Sequence, residues 1–229
     1  MKTLFLATLF FPIAFAAELT LSSPLNHQVC QRNTPLKISG SLPKAAENNL
    51  TLEARLNENL WTKIGSLGAG ETNFAAQLNS TQKGWHRLEI RAKSKGDILY
   101  TGSVARLGIG EVFLIAGQSN SANHGAKKLN VRSGMVTSFD GTKWQIANDP
   151  QGGASGGGGS FIPPFGDAMA KRFDVPIGII STGSGGTSIR EWLPKGSRFP
   201  NPPTVLNKVT QLENGEWESK GLLFDKLAN

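Results

Sequence analysis

The sequence predicts two regions in series, a β-sandwich over residues 17–106 and an α/β layered domain over residues 110–229. Three observations predict this. Short runs of alternating apolar and polar residues recur before residue 106, uninterrupted apolar runs appear after Gly110, and a helical spacing of apolar residues lies between those runs. The chain has 229 residues, 38% hydrophobic and 18% charged, which suits two modest globular domains and excludes disorder throughout or a collagen-like repeat.

Taken in order, the chain opens with Lys2 and an apolar run over residues 4–16 that ends in Ala14-Phe15-Ala16. A basic start, a short hydrophobic stretch and a small-x-small ending form a secretory signal peptide, here residues 1–16. The run is shorter than the about 20 apolar residues that a membrane span needs. No later segment is long and apolar enough to act as a membrane anchor. The expectation is a soluble product, secreted or periplasmic, that begins near Ala17.

Leu50, Leu52, Ala54 and Leu56 alternate with Thr51, Glu53 and Arg55, and Leu88, Ile90 and Ala92 alternate with Arg87, Glu89 and Arg91. Successive side chains of a strand point to opposite faces, so each run makes one inward and one outward row. Residues 36–38, 74–78 and 98–104 read as further strands, punctuated by Asn, Gly, Ser and Pro. This spacing suggests a sandwich that resembles the immunoglobulin-like fold, without the Cys–Trp–Cys hallmark of antibody domains. Cys30 is the single cysteine, so packing has to supply what an internal disulfide cannot. Asn49-Leu50-Thr51 and Asn79-Ser80-Thr81 match the glycosylation sequon, a triplet common by chance.

After Gly110 the pattern changes. Residues 112–116 and 175–180 are apolar on both faces, as buried parallel strands are when helices cover both sides. Between them, Phe165, Met169 and Phe173 recur at i, i+4 and i+8, which predicts a short helix over residues 164–173. Val205, Val209 and Leu212 share a helical face, and residues 221–228 begin another helix. The glycine-rich segment 151–160 reads as a surface loop. It lacks the Lys-Ser/Thr ending of a phosphate-binding loop, which argues against nucleotide binding. The net charge of +7 comes from scattered Lys and Arg with no long basic run, a solvated surface rather than a nucleic-acid stripe.

In open α/β sheets, ligands bind beyond the carboxyl ends of the strands. Two glycine-containing turns occupy that position. The first is Gly117-Gln118-Ser119-Asn120, directly after the first apolar run. A serine on a tight turn at a strand end is exposed, and a helix starting there offers backbone N–H groups to an oxyanion. The second is Gly183-Ser184-Gly185-Gly186-Thr187. Its glycines allow close backbone approach, and its N–H groups can point at developing negative charge.

The wording of these segments resembles a known family. Gly110-Glu111-Val112-Phe113-Leu114-Ile115-Ala116-Gly117-Gln118-Ser119-Asn120 is similar to the first block of the sialate O-acetylesterase and acetylxylan esterase group. That group is a branch of the SGNH hydrolases. Gly185-Gly186-Thr187-Ser188-Ile189 with Trp192 resembles its second block. The resemblance implies a flavodoxin-like three-layer α/β domain, of which residues 110–229 are the N-terminal part. It implies a serine-dependent carbohydrate O-acetylesterase whose substrate is an acetylated glycan of sialate or xylan type, with no cofactor, no metal and no nucleic-acid partner. Ser119 would be the nucleophile that forms an acetyl-enzyme. The backbone N–H of Ser119 and that of Gly185 or Gly186 would hold the oxyanion, each such donor being worth about 2.7–4 kcal/mol. Gly117, Gln118, Asn120 and Thr187 would support the site, and Trp192 would form either a wall against a sugar ring or a structural brace.

The sequence departs from the family in one respect. The family's third block, Trp-x-Gln-Gly-Glu, and its Asp-x-x-His, which carries the base, do not occur here. His27 and His86 fall in the sandwich, and His124 lies on the segment leaving the nucleophile turn, where a base cannot approach the hydroxyl from the side. A serine without its base is a poor nucleophile, so the expectation is a truncated and nearly inactive chain. The alternative is a non-catalytic glycan-binding or adhesion module, in which the sandwich recognises the glycan.

Overall fold

The alternating runs do form strands, and the computed structural model describes them within residues 16–228. Residues 1–15, which carry nearly all of the expected signal peptide, lie outside the described residues. The first region contains β1 (Ala17–Glu18), β2 (Thr20–Ser23), β3 (Val29–Gln31), β4 (Leu36–Ser41), β5 (Leu50–Leu56), β6 (Thr62–Leu67), β7 (Asn73–Leu78), β8 (Gly84–Ser94) and β9 (Asp97–Ile115). In β5 the inward row Leu50, Leu52, Ala54, Leu56 is buried and the outward row is half-buried, as the pleat requires. One sheet runs β9-β8-β5-β6 with antiparallel neighbours, and β2-β4-β7 forms the other. Their inner faces share one apolar core that includes Ile38, Leu52, Leu67, Phe74, Leu88 and Ile90. The expected sandwich is therefore present, with β1 and β3 added to β9 in parallel. On its outer face, Glu53 pairs with Arg91 and Glu89 with Arg55, and both guanidinium groups stack on Trp61, 4.1 and 4.6 Å from its ring centre. Cys30 is half-buried, and burial pushes its thiol up to about 11, which keeps it protonated and unreactive at neutral pH.

No linker separates the two regions. β9 is 19 residues long and passes without interruption through residues 106–110, where the sequence pattern changes. Its lower part pairs with β8 and its upper part with β12 (Ile177–Ser181) in parallel, from Glu111↔Ile177 to Ile115↔Ser181. Glycines make the crossing possible. A Cβ on Gly110 would overlap the Pro176 carbonyl oxygen, and one on Gly108 would meet Val29, Pro176 and Trp85 at 3.0 Å or less. The glycines that read as punctuation are close-approach points within a strand.

Beyond β9 come β10 (Val136–Phe139), β11 (Trp144–Ile146) and α1 (Ile162–Phe173), which precede β12 in the chain. The sheet order here is β11-β10-β12-β9, with β10, β12 and β9 parallel and β11 antiparallel at the far edge. A flavodoxin-like order would place the first parallel strand between the second and third. Here β12 holds the middle instead, and above Gly110 β9 pairs with β12 alone among the described residues. α1 packs on β10 and β12, and Ile162 and Ala170 join Val136, Ile177 and Ile179 in a second core. It begins two residues before the expected position, with prolines in its first turn where a missing N–H costs nothing, and it ends on Asp174 in a left-handed conformation.

The expected helical face of Val205, Val209 and Leu212 does not form. Residues Leu206–Lys208 make a single 3₁₀ turn, and Val209–Gln211 (β14) joins β13 (Arg198–Phe199) and β15 (Trp217–Ser219) in a small antiparallel sheet of order β13-β15-β14. Three apolar residues over two turns are too short a pattern to decide between helix and strand. The last expected helix is present as α2 (Leu222–Ala228).

Candidate active site

Three loops meet at the carboxyl ends of β9 and β12, which is where the sheet geometry places ligands. The first leaves β9. Gly117 has φ +128, and a Cβ there would lie 2.8 Å from the Ser121 hydroxyl, so the turn requires glycine. Ser119 is half-buried with φ +24, a left-handed conformation that costs a non-glycine residue about 1–3 kcal/mol. Strain of this kind persists where surrounding contacts fix it. Here the Ser121 amide and hydroxyl both donate to the Gln118 carbonyl at 2.9 Å, and the Ala122 and His124 amides donate to the Ser119 carbonyl at 2.9 and 3.1 Å. The Ser119 hydroxyl donates to the Gln118 side-chain oxygen and is not packed into the core. Ser119 opens a single 3₁₀ turn, Ser119–Ser121, and not the longer helix expected at this strand end. The amides of Ser119 and Asn120 have no hydrogen-bond partner among the described residues. The Asn120 carbonyl accepts from the Phe161 amide at 3.1 Å.

The second loop leaves β12. It is tied to the first by the Ser184 amide, which donates to the Gly117 carbonyl at 2.8 Å. A Cβ on Gly183 would overlap the Ser121 carbonyl oxygen, so this glycine is what lets the turns approach. Gly186 has φ +72, and its amide is without a partner among the described residues. The Gly185 amide is already engaged, donating to the Ser155 hydroxyl at 2.8 Å. The Thr187 hydroxyl donates to the Ser184 carbonyl and accepts from the Trp192 indole N–H, at 2.8 and 2.9 Å. Thr187 is buried and Trp192 half-buried, so the indole braces the turn through its N–H.

The third loop is the glycine-rich segment 151–160. Asn123 and Gln151 exchange two hydrogen bonds at 2.8 and 2.9 Å, and Asp149 accepts from the Leu129 and Ser160 amides and the Ser160 hydroxyl. Ser155 donates its amide to the Gly183 carbonyl at 2.9 Å, which joins this loop to the second. From α2, the Lys226 ammonium donates to the Gly153 carbonyl. Burial and the Lys208 ammonium together lower the pKa of Lys226.

The model of a carbohydrate esterase family, the sialic acid-specific acetylesterases, matches residues 109–225, about half of the chain. The chain belongs to that family. Among solved structures, the chain is similar to a carbohydrate acetylesterase from Xanthomonas citri, at 18% identity and a TM-score of 0.50, over 77% of this chain and 43% of that one. At that identity the likeness shows a shared fold, and the present chain spans less than half of the Xanthomonas protein's length. A CARDB domain from Pyrococcus furiosus matches 41% of the chain and 93% of its own length, at 13% identity and a TM-score of 0.29. No curated protein matches the chain.

The Ser119 turn and the glycine turn, both legible in the sequence, are brought together by the Ser184–Gly117 hydrogen bond. None of the three histidines hydrogen-bonds the Ser119 hydroxyl. His86 is buried in β8 against Asn57, and burial lowers its pKa. His27 sits on a turn of the sandwich, its pKa lowered by burial and by the Arg106 guanidinium. The exposed His124 points its Nε2 at the Ser155 hydroxyl, 3.3 Å away.

Sequence reasoning misses Glu191. It is fully buried and accepts from the Ser188 amide and hydroxyl and the Thr204 and Val205 amides at 2.6–2.9 Å. Burial raises its pKa, but the hydrogen bonds from Ser188 and Val205 outweigh this, and the net position is below the ordinary glutamate range. The signal that could have found it is Ser188-x-x-Glu191, a capping box that starts the turn Ile189–Trp192.

Proposed function

We propose that this chain carries the nucleophile and oxyanion-binding turns of an exported carbohydrate O-acetylesterase. The observation that carries this is the strained, accessible Ser119 at the mouth of β9, held by the Ser184–Gly117 hydrogen bond beside a glycine turn with a free amide. Ser119 attacks the acetyl carbonyl, the sugar hydroxyl leaves with a proton, and water then releases acetate from the acetyl-enzyme. The amides of Ser119 and Gly186 receive the negative charge on the carbonyl oxygen. Gly186 is preferred over Gly185 because the Gly185 amide is engaged by Ser155. Family membership supports an acetylated carbohydrate as substrate, of sialate type by the family description.

None of the three histidines hydrogen-bonds the Ser119 hydroxyl, and this proposal assigns the role of base to none of them. Export rests on the basic Lys2, the apolar run and the Ala14-Phe15-Ala16 ending.

The test uses the purified chain and 4-nitrophenyl acetate, with the acetylated residue mapped by mass spectrometry. Among the hydroxyl groups acetyl is expected first on Ser119, slowly because no base is in place, and Ser119→Ala should abolish that site while leaving lysine acetylation unchanged. Absence of acetyl on Ser119, with another serine or threonine acetylated first, assigns the chemistry to that residue.

A further inference from the structure

Ser155 stands at the meeting point of the three loops with a hydroxyl that the proposed acetyl transfer does not use. Its backbone is fixed. Its amide donates to the Gly183 carbonyl at 2.9 Å, the Gly158 amide donates to the Asn123 carbonyl at 2.7 Å, and Lys226 holds the Gly153 carbonyl. His124 is fixed as well, although its ring is exposed. A Cβ on Gly156 would lie 2.9 Å from its Nε2 and one on Gly185 would overlap it, so the ring fits only because both neighbours are glycine. His124 also bridges the two serines, since its amide donates to the Ser119 carbonyl at 3.1 Å while its ring meets the Ser155 hydroxyl at 3.3 Å.

A serine hydroxyl has two lone pairs and one proton. The Gly185 amide fills one lone pair at 2.8 Å. With the His124 Nε2–H filling the other, the proton has no acceptor among the described residues and is left for a ligand at the junction of the loops, one residue along the chain from the Gly186 amide. We propose that Ser155 is a further oxyanion donor of this site and that His124 is its positioning residue, an assignment that rests on the acetyl-transfer reading above. The ligand class is a carboxylate or the oxyanion of an acyl group. In this arrangement the Gly185 amide acts through Ser155, passing polarisation to its hydroxyl, while the Ser119 and Gly186 amides act directly.

The probe is acetate, titrated into the ¹⁵N-labelled chain while the Ser119 and Gly186 amide resonances are followed. Both resonances should shift on binding. Ser155→Ala should weaken acetate roughly tenfold, the loss expected for one hydrogen bond to a charged group, and Ser155→Thr, which keeps the hydroxyl, should restore it. His124→Leu should weaken acetate although Ser155 is present, whereas His124→Gln, which keeps a side-chain N–H, should not. Unchanged or tighter binding in Ser155→Ala overturns the proposal. Tighter binding would mean that the hydroxyl merely blocks the Gly185 amide. The absence of any shift at these amides in the unaltered chain overturns it too. Acetate binding needs no attack by Ser119, so a chain that binds acetate through Ser155 but does not acetylate Ser119 separates the failure of the esterase reading from the failure of this one.

Discussion

The sandwich and the α/β region meet on one strand, but they are held together differently. In the sandwich, rows of Leu, Ile and Ala from β4, β5, β8 and β9 fill a core in which nearly every inward residue is apolar. Its charged residues lie outside, in cross-strand pairs such as Glu53–Arg91. Beyond Gly110 the apolar core is smaller, and much of the cohesion comes from backbone passing close to backbone and from buried polar groups held by hydrogen bonds. Asn123, Gln151 and Glu191 are almost wholly buried, and each is hydrogen-bonded. The difference shows how a frame and a site are specified. Apolar burial fixes a sheet whatever its loops do, whereas a site needs individual amides aimed at one point, and only specific hydrogen bonds can aim them.

Three changes sharpen or break this contrast. The largest effect is expected from Leu88→Ala in β8, a fully buried residue that faces the other sheet. It should destabilise the chain by about 3 kcal/mol in urea denaturation, through lost burial plus the cavity left behind. A loss under about 1 kcal/mol would mean that the sandwich does not depend on its apolar rows. Next is Glu191→Gln, which replaces an acceptor-only carboxylate with an amide facing four donors, at an expected cost of about 1–3 kcal/mol at neutral pH. Because the folded pKa of Glu191 lies below the ordinary value of 4.5, its contribution is fully present above that value and is lost as pH falls through the folded one. The variant should therefore lose less stability than the unaltered chain on acidification, and parallel stability–pH curves would refute the role assigned to this carboxylate. The smallest effect belongs to Leu60→Ser on the sandwich surface. Leu60 is 90% exposed, and its replacement should leave stability within about 0.5 kcal/mol by the same measurement.

The same contrast explains which parts of the structure are legible in the sequence. β5 and β8 carry strict alternation over several residues, and period two has no other common cause. The turns around Ser119 and Gly185 are legible because tight turns at strand ends need glycine and because their wording resembles a family block. The continuity of β9 is hidden, since Gly108 and Gly110 read as a break when their local sequence alone is considered. Their reason for being glycine is Trp85, Val29 and Pro176, residues distant in the chain. The bonds of Ser155 to Gly185 and of Lys226 to Gly153 are hidden for the same reason. A glycine-rich loop has no periodicity, and its partners are set by the fold. The 3₁₀ turn and strand over residues 206–211 escape a local reading because they join a sheet whose pairing comes from β15.

The unbroken β9 has a mechanical consequence. Nineteen residues of extended chain make a strut on the order of 60 Å long. It is clamped by β8 at one end and β12 at the other. Domains joined by a loose tether can swing and sample many separations, but these two cannot. Whatever the outer face of the sandwich touches is set at a fixed distance and angle from Ser119, like the two ends of a ruler.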